Sequence, residues 1–432
     1  MRYYSTNKQS PTVDFREATI AGQAPDRGLY FPEKIPVLSS GFLKELDSMD
    51  KEEVAFRVIE PYVGDVIPEN DLRQIVSETV NFEFPLVKVN DDVYSLELFH
   101  GPTLAFKDVG ARFMSRCLGY FSKGRTDRVY VLVATSGDTG GAVASGFYNV
   151  EGVEVVILYP SGKVSLVQEK QLTALGKNIH ALEVDGSFDD CQKMVKQAFM
   201  DHDLKGKMFL TSANSINVAR WLPQQFYYFY ACQQWNKAFG EPVIAVPSGN
   251  FGNLCAGLLA YKSGLPVKHF IAACNANDVV PEYFLSGHYE PQPAIATISN
   301  AMDVGDPSNF VRMLELFGKD VEELRSMISS YSISDEETRA TIKEVKEKFG
   351  YLLDPHGAVG YAAVEQYIAG HTGERAIFLE TAHPIKFYDV VEPVIGERIP
   401  LPGGVKDIME KKKVSTKIST YYTELKDFLL NR

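Results

Sequence analysis

Paired cysteines are missing from this chain. The five that it has, Cys117, Cys191, Cys232, Cys255 and Cys274, are scattered, odd in number and nowhere spaced as C-x-x-C. That pattern excludes a disulfide framework and a zinc knuckle, and no metal site is suggested. Long apolar runs are missing too. No window approaches the ~20 apolar residues that span a bilayer, and the start, MRYYSTNKQS, has no apolar core of signal-peptide length. The cytoplasm is therefore the expected location. Basic charge is in deficit: 44 lysines and arginines stand against 56 acidic residues, a net charge of −12. Such a balance argues against nucleic acid or anionic lipid as a partner. The one basic run, EKKKV near Lys411, reads as a solvated helix end. A small anionic ligand would need positive charge gathered locally.

What is present is a globular composition, 45% hydrophobic and 23% charged, in 432 residues. That length exceeds one ordinary core and predicts two domains. Short β-branched runs recur, among them VYVLVA from Val129, VEVVILY from Val153, PVIAVP from Pro242 and RAIFLE from Arg375. Each is apolar on both faces, as in a parallel strand covered by helices. Helical patterns lie between them. One ends at Gly176, a C-cap position, another starts at Ser187 with Asp190 three residues on, a near match to a capping box, and a long aromatic one runs from Val218 to Gly240. The alternation predicts an α/β fold with two open parallel sheets. The first ~90 residues read as mostly helical. The expected division is residues 1–95 as an N-terminal region packed on the larger domain, 96–235 as a smaller α/β domain and 236–432 as a larger one.

Three strand ends carry candidate chemistry. PSGNFGN places Gly249, Asn250, Phe251, Gly252 and Asn253 between a strand and a helix. Open N–H groups at such a turn suit a phosphate, although an ordinary tight turn would look the same. VLVATSGDTGGAVA is a second such turn, with Ser136, Asp138 and Thr139. It could hold a carboxylate, or Asp138 could simply cap the helix. The third, FLETAHPIKF, puts Thr381 and His383 past a strand. Thr381 could bond a ring nitrogen or cap a turn, and His383 and His356 read as structural histidines.

Lys107, in FHGPTLAFKD, is a lone cation among apolar residues. Lysines are normally exposed. Desolvation, however, would favour the neutral amine, which can attack a carbonyl to form a Schiff base. A lysine plus a phosphate nest suggests pyridoxal 5′-phosphate. In TSANSINVARWLPQ, Asn214, Asn217 and Arg220 could bind a second phosphate or a carboxylate; a surface ion pair is the other reading of Arg220.

Taken in order, FHGPTLAFKD, ATSGDTGGA, TSANSINVARWLPQ, PSGNFGN, AMDVGDPSNF and ETAHP resemble the threonine synthase family in its longer bacterial and fungal form, as does DRGLYFPEKIP near the start. The likeness spans nearly the whole chain. It implies the fold type II class of pyridoxal phosphate enzymes, the tryptophan synthase β-like class, with an N-terminal helical extension. It further implies that Lys107 carries the cofactor covalently. Gly249, Asn250, Phe251, Gly252 and Asn253 would hold its phosphate, and Thr381 would face the ring nitrogen. Ser136, Asp138 and Thr139 would face the substrate carboxylate and the cofactor's phenolic oxygen. Asn214, Asn217 and Arg220 would take the substrate phosphate. The implied reaction converts O-phospho-L-homoserine and water into L-threonine and phosphate, in a monomer or homodimer. The rivals are a serine/threonine dehydratase or β-replacement enzyme of the same fold, a nucleotide-binding phosphotransferase using the Gly249 loop, and an inactive phosphate-binding module.

Overall fold

The computed structural model describes residues 1–124 and 128–431. Two mainly parallel sheets dominate it. The first runs Thr416–Ile418, Ile179–Val184, Val153–Pro160, Val129–Ala134, Phe209–Ser212, all parallel. The second runs Ile328–Ser332, His269–Cys274, Val243–Pro247, Ala376–Glu380, Val93–Glu97, Leu86–Lys88, with only the last strand antiparallel. The α/β expectation holds, and the cause is visible in the burial. In the strand Val129–Ala134, Val129, Val131 and Val133 join the main core, while Tyr130, Leu132 and Ala134 join a separate cluster under helices Phe188–Met200 and Tyr422–Leu430. A strand dry on both faces must be apolar at every position.

The sheets do not follow the linear division of the chain. Strand Val93–Glu97, expected in the N-terminal region, pairs with Ala376–Glu380. Strand Thr416–Ile418, from the far end, pairs with Leu182–Val184 of the other sheet. The N-terminal region is mostly helical, as read, with a small sheet of three short strands besides. Arg2–Ser5 pairs antiparallel with Val13–Asp14 and Tyr30–Pro32 ahead of helices Lys51–Val63 and Glu69–Thr79. The region touches both of the other blocks: Tyr230 Oη donates to Lys51 O at 2.9 Å and Arg112 to Glu78 O, while Tyr4 Oη donates to Glu315 Oε2 at 2.8 Å and Leu38 N to Ser263 O at 2.9 Å.

The aromatic segment expected as one helix is broken. It forms Val218–Trp221, a 3-10 turn at Leu222–Gln224 and helix Gln225–Gln234, with a second 3-10 turn at Lys237–Phe239. Pro223 has no N–H to continue the ladder, so the backbone tightens there. Ser187 and Asp190 form a capping box, but the helix read as ending at Gly176 stops earlier: it spans Leu166–Thr173 with Ala174 as its C-cap, and Gly176 takes φ 69° in the loop that follows.

Both sheets present the carboxyl ends of their strands to one cleft. Ser136, Asn214, Ser248 and Thr381 all follow directly on such ends, where open α/β sheets place their ligands.

Candidate active site

Lys107 opens the helix Lys107–Ser122. The loop before it is locked on both sides. Asp108 accepts from Thr103 N at 2.8 Å and from the Thr103 hydroxyl. On the other side, Phe106 N donates to Thr381 O at 2.8 Å and His383 N to Leu104 O at 3.0 Å. These bonds fix Lys107 beside the strand end that carries Thr381. Leu104 takes φ 58°, a left-handed conformation uncommon for leucine, to make the turn. The Lys107 ammonium makes no hydrogen bond among the described residues, and it sits 5.3 Å from the Phe106 ring centre. Burial pushes its pKa below the ordinary lysine value. Asp138 opposes that fall, while Lys386 and Arg220 add to it.

Asp138 is buried at the start of helix Asp138–Phe147. It does not cap that helix, whose N-cap is Gly137. Its Oδ1 accepts from Gln168 Nε2 at 2.9 Å and faces Lys386 Nζ at 2.8 Å. Burial alone would raise the carboxyl, but Lys386 and Lys107 overcome it and hold Asp138 below the carboxylate range. The turn's own N–H groups are partly spent: Thr135 Oγ1 accepts from both Gly137 N and Gly140 N at 2.9 Å. Gly137 needs its glycine, with φ 138° and Gln168 within 2.7 Å of any added Cβ.

The Gly249 loop is built as a tight nest. An added Cβ at Gly249 would lie 2.5 Å from Met302 Cα, and Phe251 adopts φ 59° so that helix Gly252–Lys262 can begin at once. Asn250 Nδ2 donates to Ser215 Oγ at 2.7 Å, and Asn309 Nδ2 donates to Asn250 O at 3.1 Å and to Ser215 Oγ at 3.3 Å. These bonds join the Asn214–Arg220 segment to the Gly249–Asn253 loop. Asn253 Oδ1 accepts from Tyr228 Oη at 3.0 Å, which leaves its Nδ2 buried without a partner.

Arg220 is 3% exposed, donates to Ala213 O, and has no carboxylate in ion-pair range among the described residues. Its Nε is buried and unbonded. The other reading of Arg220, a surface ion pair, therefore fails among the described residues. Burial lowers its pKa to about 10, with Tyr227 and Asp108 opposing, so it stays a cation at neutral pH. It packs against the first turn of the Lys107 helix, where a Cβ on Gly110 would fall 2.7 Å from Arg220 O.

The cleft thus gathers Lys107, Asp138, Arg220, Thr381 and the Gly249–Asn253 loop. The side-chain hydroxyls of Ser136, Thr139 and Thr381 and the amide of Asn214 make no hydrogen bond among the described residues, as ligand-facing groups would. Asn217 departs from the expectation. It is fully buried, caps helix Val218–Trp221 through Oδ1 and Ala219 N at 3.0 Å, and spends Nδ2 on Thr19 O at 2.9 Å and Ser212 O at 3.3 Å. Both amide hydrogens are spent in holding the loop, so the side chain has no donor left for an anion.

Sequence reasoning passed over Lys386 and Ser215. Lys386 is another lone cation in apolar surroundings, HPIKF, and the argument used for Lys107 applied to it equally. Ser215 had no signal beyond its place beside Asn214. Its oxygen accepts from two amides, which leaves its proton uncommitted.

A desolvated amine, an anion nest and an unpaired arginine at converging strand ends define a pyridoxal phosphate site of the fold type II class. The unbonded Asn253 Nδ2 and the Lys107 amine, its pKa lowered by burial, fit the cofactor's polar groups and aldehyde. The comparisons agree. The profile of the pyridoxal-phosphate dependent enzyme family matches residues 82–380, flanked by those of the threonine synthase N terminus at 2–80 and the threonine synthase C-terminal region at 357–429. The chain is 44% identical to the threonine synthase of Serratia marcescens over 431 residues, 100% of this chain and 99% of that one. The crystal structure of threonine synthase from Escherichia coli superposes with a TM-score of 0.93 at 42% identity, covering all of both chains. PLP-bound threonine synthase from Brucella melitensis gives 0.93 at 36%, covering 100% and 99%. This chain belongs to the threonine synthase family, and its cofactor is pyridoxal 5′-phosphate.

Proposed function

We propose that the cleft converts O-phospho-L-homoserine and water into L-threonine and phosphate. The observation that carries this reading is Arg220: a buried guanidinium with no carboxylate partner, placed against the Lys107 helix, calls for an anion beyond the one that the Gly249 loop receives. A dehydratase or a simple β-replacement enzyme has no use for a second phosphate site: its substrate brings only a carboxylate, which the Ser136–Thr139 turn is there to meet.

Lys107 holds the cofactor, the Gly249–Asn253 loop its phosphate, and Thr381 its ring nitrogen. The bound cofactor supplies an electron sink for charge developing on the substrate carbons. Lys107 carries the protons at those carbons. Its depressed affinity for a proton suits an amine that must be neutral to accept one. Thr381 is a neutral partner and imposes no proton on the ring nitrogen. Ser136 and Thr139 receive the substrate carboxylate, with Asp138 fixed behind them by Lys386 and Gln168. Arg220, with Asn214 and Ser215, takes the substrate phosphate, where charge accumulates as the ester breaks. Water is kept from the cleft until phosphate has left, and closure around the substrate is the gate. No helix among the described residues is long and apolar enough to cross a membrane, and all five cysteines are buried and unpaired, in keeping with a reducing cytoplasm.

The test compares phosphate release from phosphohomoserine with ketoacid release from threonine. Dominant ketoacid formation would assign the cleft to a dehydratase. Lys107→Ala should lose turnover and borohydride-stable attachment of the cofactor together; activity that survives the change would remove the lysine from its role.

A further inference from the structure

Arg312 is fully buried in helix Phe310–Leu316, and no carboxylate lies in ion-pair range of it among the described residues. It stacks on Trp221 at 4.2 Å and makes four hydrogen bonds, all to uncharged acceptors. Nη2 donates to Tyr30 O at 2.9 Å and Ile216 O at 2.7 Å; Nη1 donates to Ser215 O at 3.2 Å and Asn309 Oδ1 at 2.8 Å. Burial lowers its pKa to about 9, so it remains charged at neutral pH. A buried, unpaired cation costs several kcal/mol unless an anion or a dense set of dipoles offsets it. Its one side-chain acceptor, Asn309, touches the anion cradle directly.

The donor directions follow in sequence. Because Arg312 donates to Asn309 Oδ1, the Asn309 Nδ2 must point the other way, to Asn250 O and Ser215 Oγ. Asn250 O is thereby capped from behind. Ser215 Oγ, accepting from Asn309 and Asn250 together, keeps its own proton for something else. Without the cation, the Asn309 amide could flip, which would turn an acceptor toward Asn250 O.

We propose that Arg312 is a positioning residue for a phosphate monoester: through Asn309 it fixes the donor polarity of the Ser215–Asn250 cradle. This rests on the reading of that cradle as a phosphate site. The same ligand chemistry has two sources, the cofactor tail and the substrate ester.

Arg312→Lys keeps a charge but loses the fork that spans four acceptors. Asn309→Asp keeps Arg312 but replaces the amide donor with an acceptor, and it serves if the arginine variant does not fold. In holoenzyme, two quantities are measured: the inhibition constant of inorganic phosphate, and the pH titration of the bound cofactor's ³¹P resonance. If the cradle serves the substrate ester, inorganic phosphate should bind at least tenfold more weakly in both variants, with the cofactor resonance unmoved. If it serves the cofactor tail, the resonance should titrate at a higher pH, because its dianion is less well held. Unchanged phosphate inhibition and an unchanged resonance in folded Asn309→Asp would overturn the proposal and leave Arg312 a purely structural residue. A wild-type protein with no bound cofactor resonance would instead refute the cofactor reading. In that case, binding of inorganic phosphate alone, wild type against Asn309→Asp, still decides the role of Arg312.

Discussion

Lys386 Nζ stands 2.8 Å from Asp138 Oδ1, and neither side chain is more than 4% exposed. The ammonium also donates to Thr103 O at 2.9 Å, the carbonyl that Gln171 Nε2 reaches at 3.0 Å. One buried ion pair therefore ties the Asp138 turn to the loop leading into Lys107. Lys386→Met should leave Asp138 as an uncompensated buried charge and destabilise the fold by ~3–5 kcal/mol in urea unfolding. Adding Asp138→Asn to that variant should recover a large part of the loss. No recovery would mean that packing, not charge, holds this corner.

His383 gives a pH dependence of definite sign. Burial, then the neighbouring His100 and Lys386, push its pKa down to about 4, against the pull of Asp354 and Glu97. Its Nδ1 accepts from Ile385 N at 3.1 Å, which requires the uncharged ring. The unfolded chain takes up a proton near pH 6.5, and the native one does not until about 4. Stability should therefore fall as pH drops through that window, by on the order of 2–3 kcal/mol from this group. His383→Asn should flatten the pH profile of urea midpoints between those limits, and an unaltered slope would locate the effect elsewhere.

Arg220→Ala should lower kcat/KM for phosphohomoserine by the equivalent of ~2–5 kcal/mol, since it removes a desolvated cation facing a dianion. The cofactor's visible spectrum should persist. Equal loss of cofactor and substrate binding would place the arginine at the wrong phosphate.

Gly249→Ala tests the nest. The new Cβ would meet the backbone of Met302 at 2.5 Å and 2.8 Å, and backbone cannot swing aside as a side-chain tip can. The loop must shift, and the holoenzyme should lose cofactor at least tenfold faster on dilution, with a lower melting temperature. A variant that retains its cofactor as wild type does would show that the loop is not its anchor.

Much of the fold was readable because fully buried strands must be apolar throughout. Val129–Ala134 and Val243–Pro247 are, and the turns after them announced the site. What escaped was non-local. Nothing near Thr416–Ile418 reveals a partner more than 200 residues earlier, and nothing near Val93 shows that it joins Ala376. The error at Asn217 has the same origin. An amide three residues from an arginine looks available until Thr19, from another part of the chain, is seen to occupy it. Lys386 was legible in HPIKF by the same apolar setting that singled out Lys107, whereas its pairing with Asp138 was not.

The interleaving of the two sheets bears on how the chain emerges from the ribosome. Strand Val93–Glu97 has to wait for Ala376–Glu380, and Ile179–Val184 keeps one edge bare until Thr416–Ile418 is made. At a synthesis rate of ~5–20 residues per second, those edges stay open for roughly ten seconds or more, a window in which nascent chains are prone to aggregate. Growth in the cold, where translation slows, should therefore raise the demand of this protein for chaperones more than its finished stability would suggest.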